Sequence, residues 1–280
     1  MWNLSALPIE DHGELLDAAF PIAEGSLPTA DRAIVLAKYL AYKQLGGRPY
    51  PVLLGTDVDQ ALHIRMHDAY SMMQDGRRLA HTRSSLKLLA ETCPYCGFGP
   101  VEDLDHLLQR AHFRLFSIFP LNLVPCCATC NRGKPKKPVE DAKKQQIHVY
   151  LEDLTKLDFL RAEVQMRPDN GGLRILFSIA QCDGMSDDIY SRLAHHLVEF
   201  DLQTRYEKQV NIFLGELQFP IVSTFELSGS AGLSRFCESN AVALGKRFGI
   251  NDWRVAVMRG LSACEEFCSG GFKTALGLID

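Results

Sequence analysis

Cys93-Pro-Tyr-Cys96-Gly97 and Cys127-Ala-Thr-Cys130-Asn131-Arg-Gly-Lys134 are the two stretches on which the reading of this 280-residue chain turns. Each opens with Cys-x-x-Cys, a spacing that aims two thiolates at one point. Two such knuckles complete a four-sulfur tetrahedron. Zinc favours that arrangement because it has no ligand-field demand of its own and bonds thiolate well. Pro94 and Gly97 suit the tight turn a knuckle requires. The pairs predict a structural zinc site of Cys93, Cys96, Cys127 and Cys130. Thirty residues separate them, more than the usual zinc-ribbon interval. Something is therefore inserted in the loop that zinc would close.

The composition is compatible with this reading. Nine cysteines are many for a cytoplasmic protein, and they are odd in number and clustered. Clustering favours metal over disulfides. Cys126 reads as a small packed residue beside the second knuckle. Cys237, Cys264 and Cys268 lack a paired knuckle and read as core. The N-terminal stretch has no basic region before an apolar run, and no apolar run approaches the roughly 18 residues needed to span a bilayer. The expected compartment is the cytoplasm, with no membrane association. The net charge of -4 conceals an asymmetry. Arg77 to Lys144 carries twelve Lys/Arg against six Asp/Glu, a net of +6, which leaves -10 for the remainder. A basic middle between acidic flanks points to a polyanion-binding face.

The insert contains Asp105-His106 and, before the second knuckle, Asn122-Leu-Val-Pro; Asn131 directly follows Cys130. This pattern resembles the HNH (ββα-metal) endonucleases, especially members with a paired Cys-x-x-Cys zinc site. The resemblance covers about 45 residues of the 280. It implies an Asp-His on a first strand, an Asn-led turn into a second strand, and a helix opened by Cys-x-x-Cys-Asn. The family's usual Pro-Lys after Asp-His is replaced here by Gln109-Arg110, which keeps the charge.

Phosphodiester hydrolysis needs an activated water, a cation on the developing charge, and alignment of both. Asp105 and Asn131 offer hard oxygens for Mg2+ or Mn2+. His106 fits a general base that is neutral near pH 7. By the resemblance, Asn122 braces the loop and helps orient His106. Adjacent strand residues point to opposite faces, so the resemblance also implies a local distortion bringing Asp105 and His106 to one site. Zinc would be structural and the catalytic cation a separate ion. Arg110, Arg114, Arg132, Lys134, Lys136 and Lys137 surround the site and fit phosphate contacts. His112 and the His195-His196 pair read as structural.

The expected architecture is α+β and mainly helical. A helical N-terminal region (1–91) leads into the zinc-stapled module (92–138), and an α/β C-terminal region (139–280) follows. Helices are expected from Thr29 or Asp31, as cap, to Gln44; from near Asp57, where Leu62, Met66, Tyr70 and Met73 share a face; and from Arg77 to Glu91. The outward basic residues of the last of these, Arg77, Arg78, Arg83 and Lys87, read equally as a solvated face or a DNA-facing surface. Phe159–Met166 and Leu173–Ala180 read as strands joined by the turn Asp169-Asn170-Gly171-Gly172. A long helix over 187–217 follows, then helices over 234–248 and 253–267.

The function expected is metal-dependent hydrolysis of DNA, with RNA left open. The alternatives are a non-catalytic zinc-dependent nucleic-acid-binding module and an effector subunit gated by a regulatory protein partner. Extra helical regions around such a module resemble effector nucleases of bacterial anti-phage systems, a role resting on analogy alone. Oligomeric state is not set by the sequence.

Overall fold

The computed structural model describes residues 3–7, 12–135, 140–167 and 172–278. Helix accounts for 56% and strand for 8%, the strands forming two small antiparallel sheets, so the fold is α+β and mainly helical. Two compact units divide the chain, one ending at Leu154 and the other starting at Thr155. Among the described residues no helix is long and apolar enough to cross a membrane.

In the first unit, α1 (His12–Ala19) and α2 (Thr29–Gln44) bury apolar residues at helical spacing, Val35, Tyr39 and Tyr42 in α2. Thr29 is not a cap. The flanking residue is Pro28, which has no side-chain capping bond and sets the entry through its fixed φ. Asp31 lies in the first turn, where a carboxylate complements the helix dipole. Gly46 and Gly47 end α2 in left-handed conformations, and a Cβ on Gly47 would lie 2.2 Å from the His148 ring.

The second helix, α3 (Gln60–Ala69), starts later than Asp57. Asp59 caps it, accepting from the Ala61 N–H at 2.6 Å, and a 3-10 turn over Tyr70–Met73 follows. The third, α4 (Ala80–Lys87), is shorter than the predicted 77–91. Leu79 is drawn into the preceding turn by its N–H to Met72 O at 2.8 Å, and beyond Lys87 the chain turns toward the first knuckle.

The cysteine-rich module follows as β1 (Asp103–His106), β2 (Leu123–Cys126) and α5 (Ala128–Gly133). The strands pair antiparallel with Asp105 opposite Val124. One continuous core runs from Leu15 through Leu86 to Leu123. The segments read from the sequence as separate at 91/92 therefore share an interior, and the same unit continues to Leu154. Phe116 and Phe119 of the insert pack on Tyr42 and Tyr39, the latter pair stacked at 4.0 Å.

In the second unit, β3 (Leu160–Met166) and β4 (Leu173–Ile179) form the hairpin predicted, in register from Leu160 opposite Ile179 to Met166 opposite Leu173. Residues 169–171 of the expected turn lie outside the described residues. The long helix expected over 187–217 is two helices, α6 (Asp187–Glu199) and α7 (Leu202–Glu216). Asp201 separates them at φ +48°, a left-handed conformation that ends one helix and starts the next.

The next helix, α8 (Gln218–Phe248), starts sixteen residues before Ser234 and is interrupted at Gly229, whose φ is +64°. Pro220 does not prevent this because first-turn N–H groups have no intrahelical partner. The last long helix, α9 (Trp253–Ala263), ends before Phe267, where a π-type turn begins. Asn251 ties α9 to the hairpin: its Oδ1 accepts from the N–H groups of Phe159 and Leu160 at 2.8 and 3.1 Å.

α9 lies close on β3, and a Cβ on Gly260 would stand 2.3 Å from Ala162 O. Gly260→Ala should therefore cost about 1–3 kcal/mol of stability. Gly245→Ala, whose added methyl would have Val255 at 4.0 Å as its nearest neighbour, should stabilise α8 by up to about 1 kcal/mol. Urea unfolding of the two variants reads both signs. If Gly260→Ala is as harmless as Gly245→Ala, the close approach of α9 to β3 is wrong.

Candidate metal centre and adjoining site

Cys93, Cys96, Cys127 and Cys130 are all buried, and their sulfurs lie within 4.8 Å of one another. A zinc tetrahedron with bonds of about 2.3 Å has edges of about 3.8 Å; Cys96 and Cys127 Sγ are 3.9 Å apart. The backbone builds the cluster. Gly97 donates its N–H to Cys93 O at 2.7 Å while holding φ +76°, the left-handed turn of a knuckle. Gly99 N–H points at Cys96 Sγ and Cys130 N–H at Cys127 Sγ, at 3.4 and 3.5 Å. A Cβ on Gly99 would lie 2.8 Å from Cys127 Cβ, so only glycine lets the first knuckle approach the second.

Crowding splits the four thiols. The thiol pair with Cys127 pushes Cys93 and Cys130 upward, while Cys130 and then Cys93, donating to it, pull Cys127 far down. Four buried sulfurs so placed could hold a zinc ion, whose charge would let all four ionise. Cys126 lies outside the cluster; burial and then the Asp105 charge hold it as a thiol. Among the described residues Cys237, Cys264 and Cys268 form no metal-ligating group.

Asp103 and Asp105, two apart on β1, share one face of the strand. Asp105 is buried, and its Oδ2 takes two donors: the Tyr95 hydroxyl at 2.8 Å and the Lys134 ammonium at 2.6 Å. Burial and then the Asp105 charge push the Tyr95 phenol well upward, so it stays a donor. The sequence places Lys134 among the phosphate-facing cations. Its side chain is instead 7% exposed and also reaches His106 O at 3.0 Å, because a buried carboxylate requires a counter-charge. Asp105 Oδ1 accepts no hydrogen bond from a described residue. Asn131 does not bond Asp105; its amide donates to Asp103 Oδ2 at 3.0 Å.

The His106 side chain has different neighbours. Its Nε2 lies 2.9 Å from Ser117 O. A carbonyl only accepts, so Nε2 carries the proton and Nδ1 the lone pair. Burial lowers the imidazole to about 4, and it is neutral at pH 7. Tyr70 packs edge-on against it with ring centroids 4.6 Å apart.

Asn122 is fully buried and fully used. Its Oδ1 accepts from Leu108 N–H at 2.7 Å and from Tyr42 OH at 3.2 Å; its Nδ2 donates to Leu108 O and Phe116 O at 3.1 and 3.2 Å. It thereby closes the loop that leaves β1 after His106.

Of the remaining cations, Arg132 is exposed and Arg114 turns to Ala111 O at 3.4 Å. Arg110 lies over the Tyr70 ring at 4.8 Å. Lys136 and Lys137 lie outside the described residues. Tyr95 was not singled out from the sequence, although its place inside the first knuckle was a usable signal. Tyr42 and His148 carried no such signal.

A protein of Escherichia phage lambda described as protein ea31 is 44% identical to this chain over 64 residues, which is 22% of either chain. The chain thus spans about a fifth of the length of that curated relative. No family model matches the chain, and no solved structure matches it. What the chain is similar to is a short segment of a phage protein.

Proposed function

We propose that the protein is a zinc-stapled, metal-dependent nuclease that hydrolyses DNA phosphodiester bonds. One observation carries this reading: the four-cysteine cluster closes the loop that holds Asp105, His106 and Asn122, and Asn131 directly follows the ligand Cys130. His106 Nδ1 takes a proton from the attacking water while Nε2–H, held by Ser117 O, fixes the ring. An imidazole near 4 is a weak base at pH 7, and a phosphate arriving beside it raises that basicity. Asp105 Oδ1 and the Asn131 amide oxygen are the hard oxygens open to Mg2+ or Mn2+, an ion that supplies charge stabilisation at the phosphate when bound. Asn122 holds the loop between them. A role in phage defence is the biological setting this reading favours, by analogy.

A second reading has its own support. The Lys134 ammonium already sits on Asp105 Oδ2 at 2.6 Å. A resident cation of this kind fits a module that binds nucleic acid around zinc without cutting it.

Metal analysis should return one zinc per chain, and Cys96→Ser should lose both the metal and the folded state, since a structural site contributes folding energy outright. A folded, zinc-free protein would refute the four-thiolate site.

Supercoiled plasmid with Mg2+ or Mn2+ should be nicked by wild type and not in EDTA, and His106→Ala should lose about 10²–10⁴ in rate. Equal inertness of both would favour the non-cutting module.

Lys134→Met removes a positive charge from Asp105, so the Mn2+ concentration for half-maximal nicking should fall. An unchanged or higher midpoint would show that Lys134 does not compete with the ion.

A further inference from the structure

Tyr70 collects two arginines beside His106. Arg83, from α4, donates Nη1–H to the Tyr70 hydroxyl at 3.3 Å, and the Arg110 guanidinium stands over the ring at 4.8 Å. The same ring packs against the His106 imidazole at 4.6 Å. Tyr70, Arg83 and Arg110 are each half-buried.

Several other arginines have carboxylates or backbone carbonyls as acceptors. Arg32 pairs with Asp17, Arg254 with Asp252, and Arg259 with Asp158, at 2.8–3.0 Å. Arg65 and Arg78 turn onto the backbone carbonyls of Gly25 and Ala19. Among the described residues no carboxylate lies within ion-pair distance of Arg83 or Arg110. The Tyr70 hydroxyl proton likewise has no acceptor among them. Water can take these donors but cannot supply a counter-charge. Two half-desolvated guanidiniums and one hydroxyl around a single ring therefore form a donor set for an anion with several acceptor oxygens.

The sequence left the basic residues before the first knuckle undecided between a solvated face and a DNA surface. Three of them separate here: Arg77 is exposed, Arg78 folds back onto Ala19 O, and Arg83 turns to the Tyr70 hydroxyl.

We propose that Tyr70, Arg83 and Arg110 form a phosphate-binding subsite that grips the DNA backbone next to the bond presented to His106. On this account α4 and the turn Tyr70–Met73, which precede the cysteine module, contribute directly to substrate binding. The assignment rests on the DNA reading given above, yet it concerns binding and is separable from cleavage.

The test is binding of a fluorescein-labelled DNA duplex, read by anisotropy in EDTA across a salt series so that no cutting intervenes. Arg83→Gln and Arg110→Gln should each weaken binding and lower the slope of log affinity against log salt by about one. Arg235→Gln, the same charge change on exposed α8, should leave the slope unchanged. Arg83→Lys keeps the charge and should restore the slope. Melting temperature and zinc content of every variant report whether packing has been lost. Slopes equal to wild type in both Gln variants overturn the subsite, as does a wild type that binds no DNA. A Lys variant as weak as the Gln variant at matched melting temperature assigns Arg83 to packing and also overturns it. If binding falls as expected while the wild type nicks no plasmid, the subsite stands and the nuclease reading fails.

Discussion

Four sulfurs held within 4.8 Å of one another are the constraint on which the first unit depends. Thiols at that spacing cannot all ionise without a cation among them. A structural zinc supplies about 10–16 kcal/mol in small peptides, comparable with the whole stability of an ordinary domain, about 5–15 kcal/mol. With zinc bound as proposed, the folded state of this unit and the presence of metal would be close to one condition. The cluster also distributes position. Tyr95 lies between the two cysteines of the first knuckle, Asn131 directly follows the second, and Lys134 comes one helical turn later. Each of these touches an acidic residue of β1. The acidic face of β1 is thereby fixed by residues that the cysteines themselves place.

Asp105 shows how the site handles a buried carboxylate. Removing a charge from water costs several kcal/mol unless charge and hydrogen bonds are returned to it. Tyr95 and Lys134 return both, and both use Oδ2. Oδ1 is left without a donor from a described residue. The arrangement is asymmetric, with both protein donors on one oxygen. That asymmetry is why the same pair of contacts supports a cation-binding carboxylate in one reading and an internal ion pair in the other.

The knuckles were legible in the sequence because metal-ligand spacing is short-range and nearly independent of the fold. Strands β3 and β4 were legible for a similar reason: alternation and a Gly-rich turn are local signals. The shared core was not. Tyr39 and Phe119 are eighty residues apart, and nothing local says that their rings stack. Helix boundaries failed where a single local backbone feature decided them. Leu79 was taken by a turn to Met72, Asp201 adopted a left-handed conformation inside an apparently continuous helix, and Pro220 was tolerated in a first turn. Lys134 was misplaced because a basic run looks uniform in sequence. Only the fold shows which of its ammoniums faces a buried carboxylate.

The same distinction separates the motif from the site. Asp105, His106, Asn122 and Asn131 can be read in order along the chain, but the loop connecting them is held from outside the motif. Tyr42 on α2 donates to Asn122, and Tyr42 in turn receives a hydrogen bond from His148 Nε2, whose Nδ1 accepts from Tyr150 N–H. Gly47 leaves room for the His148 ring, which any side chain at that position would displace. Ser117, which fixes the tautomer of His106, follows Phe116, a ring packed on Tyr42. The helical region before the cysteines therefore acts on the geometry of the imidazole through packing and hydrogen bonds. A shorter chain with the motif alone would keep the residues and lose the contacts that aim them.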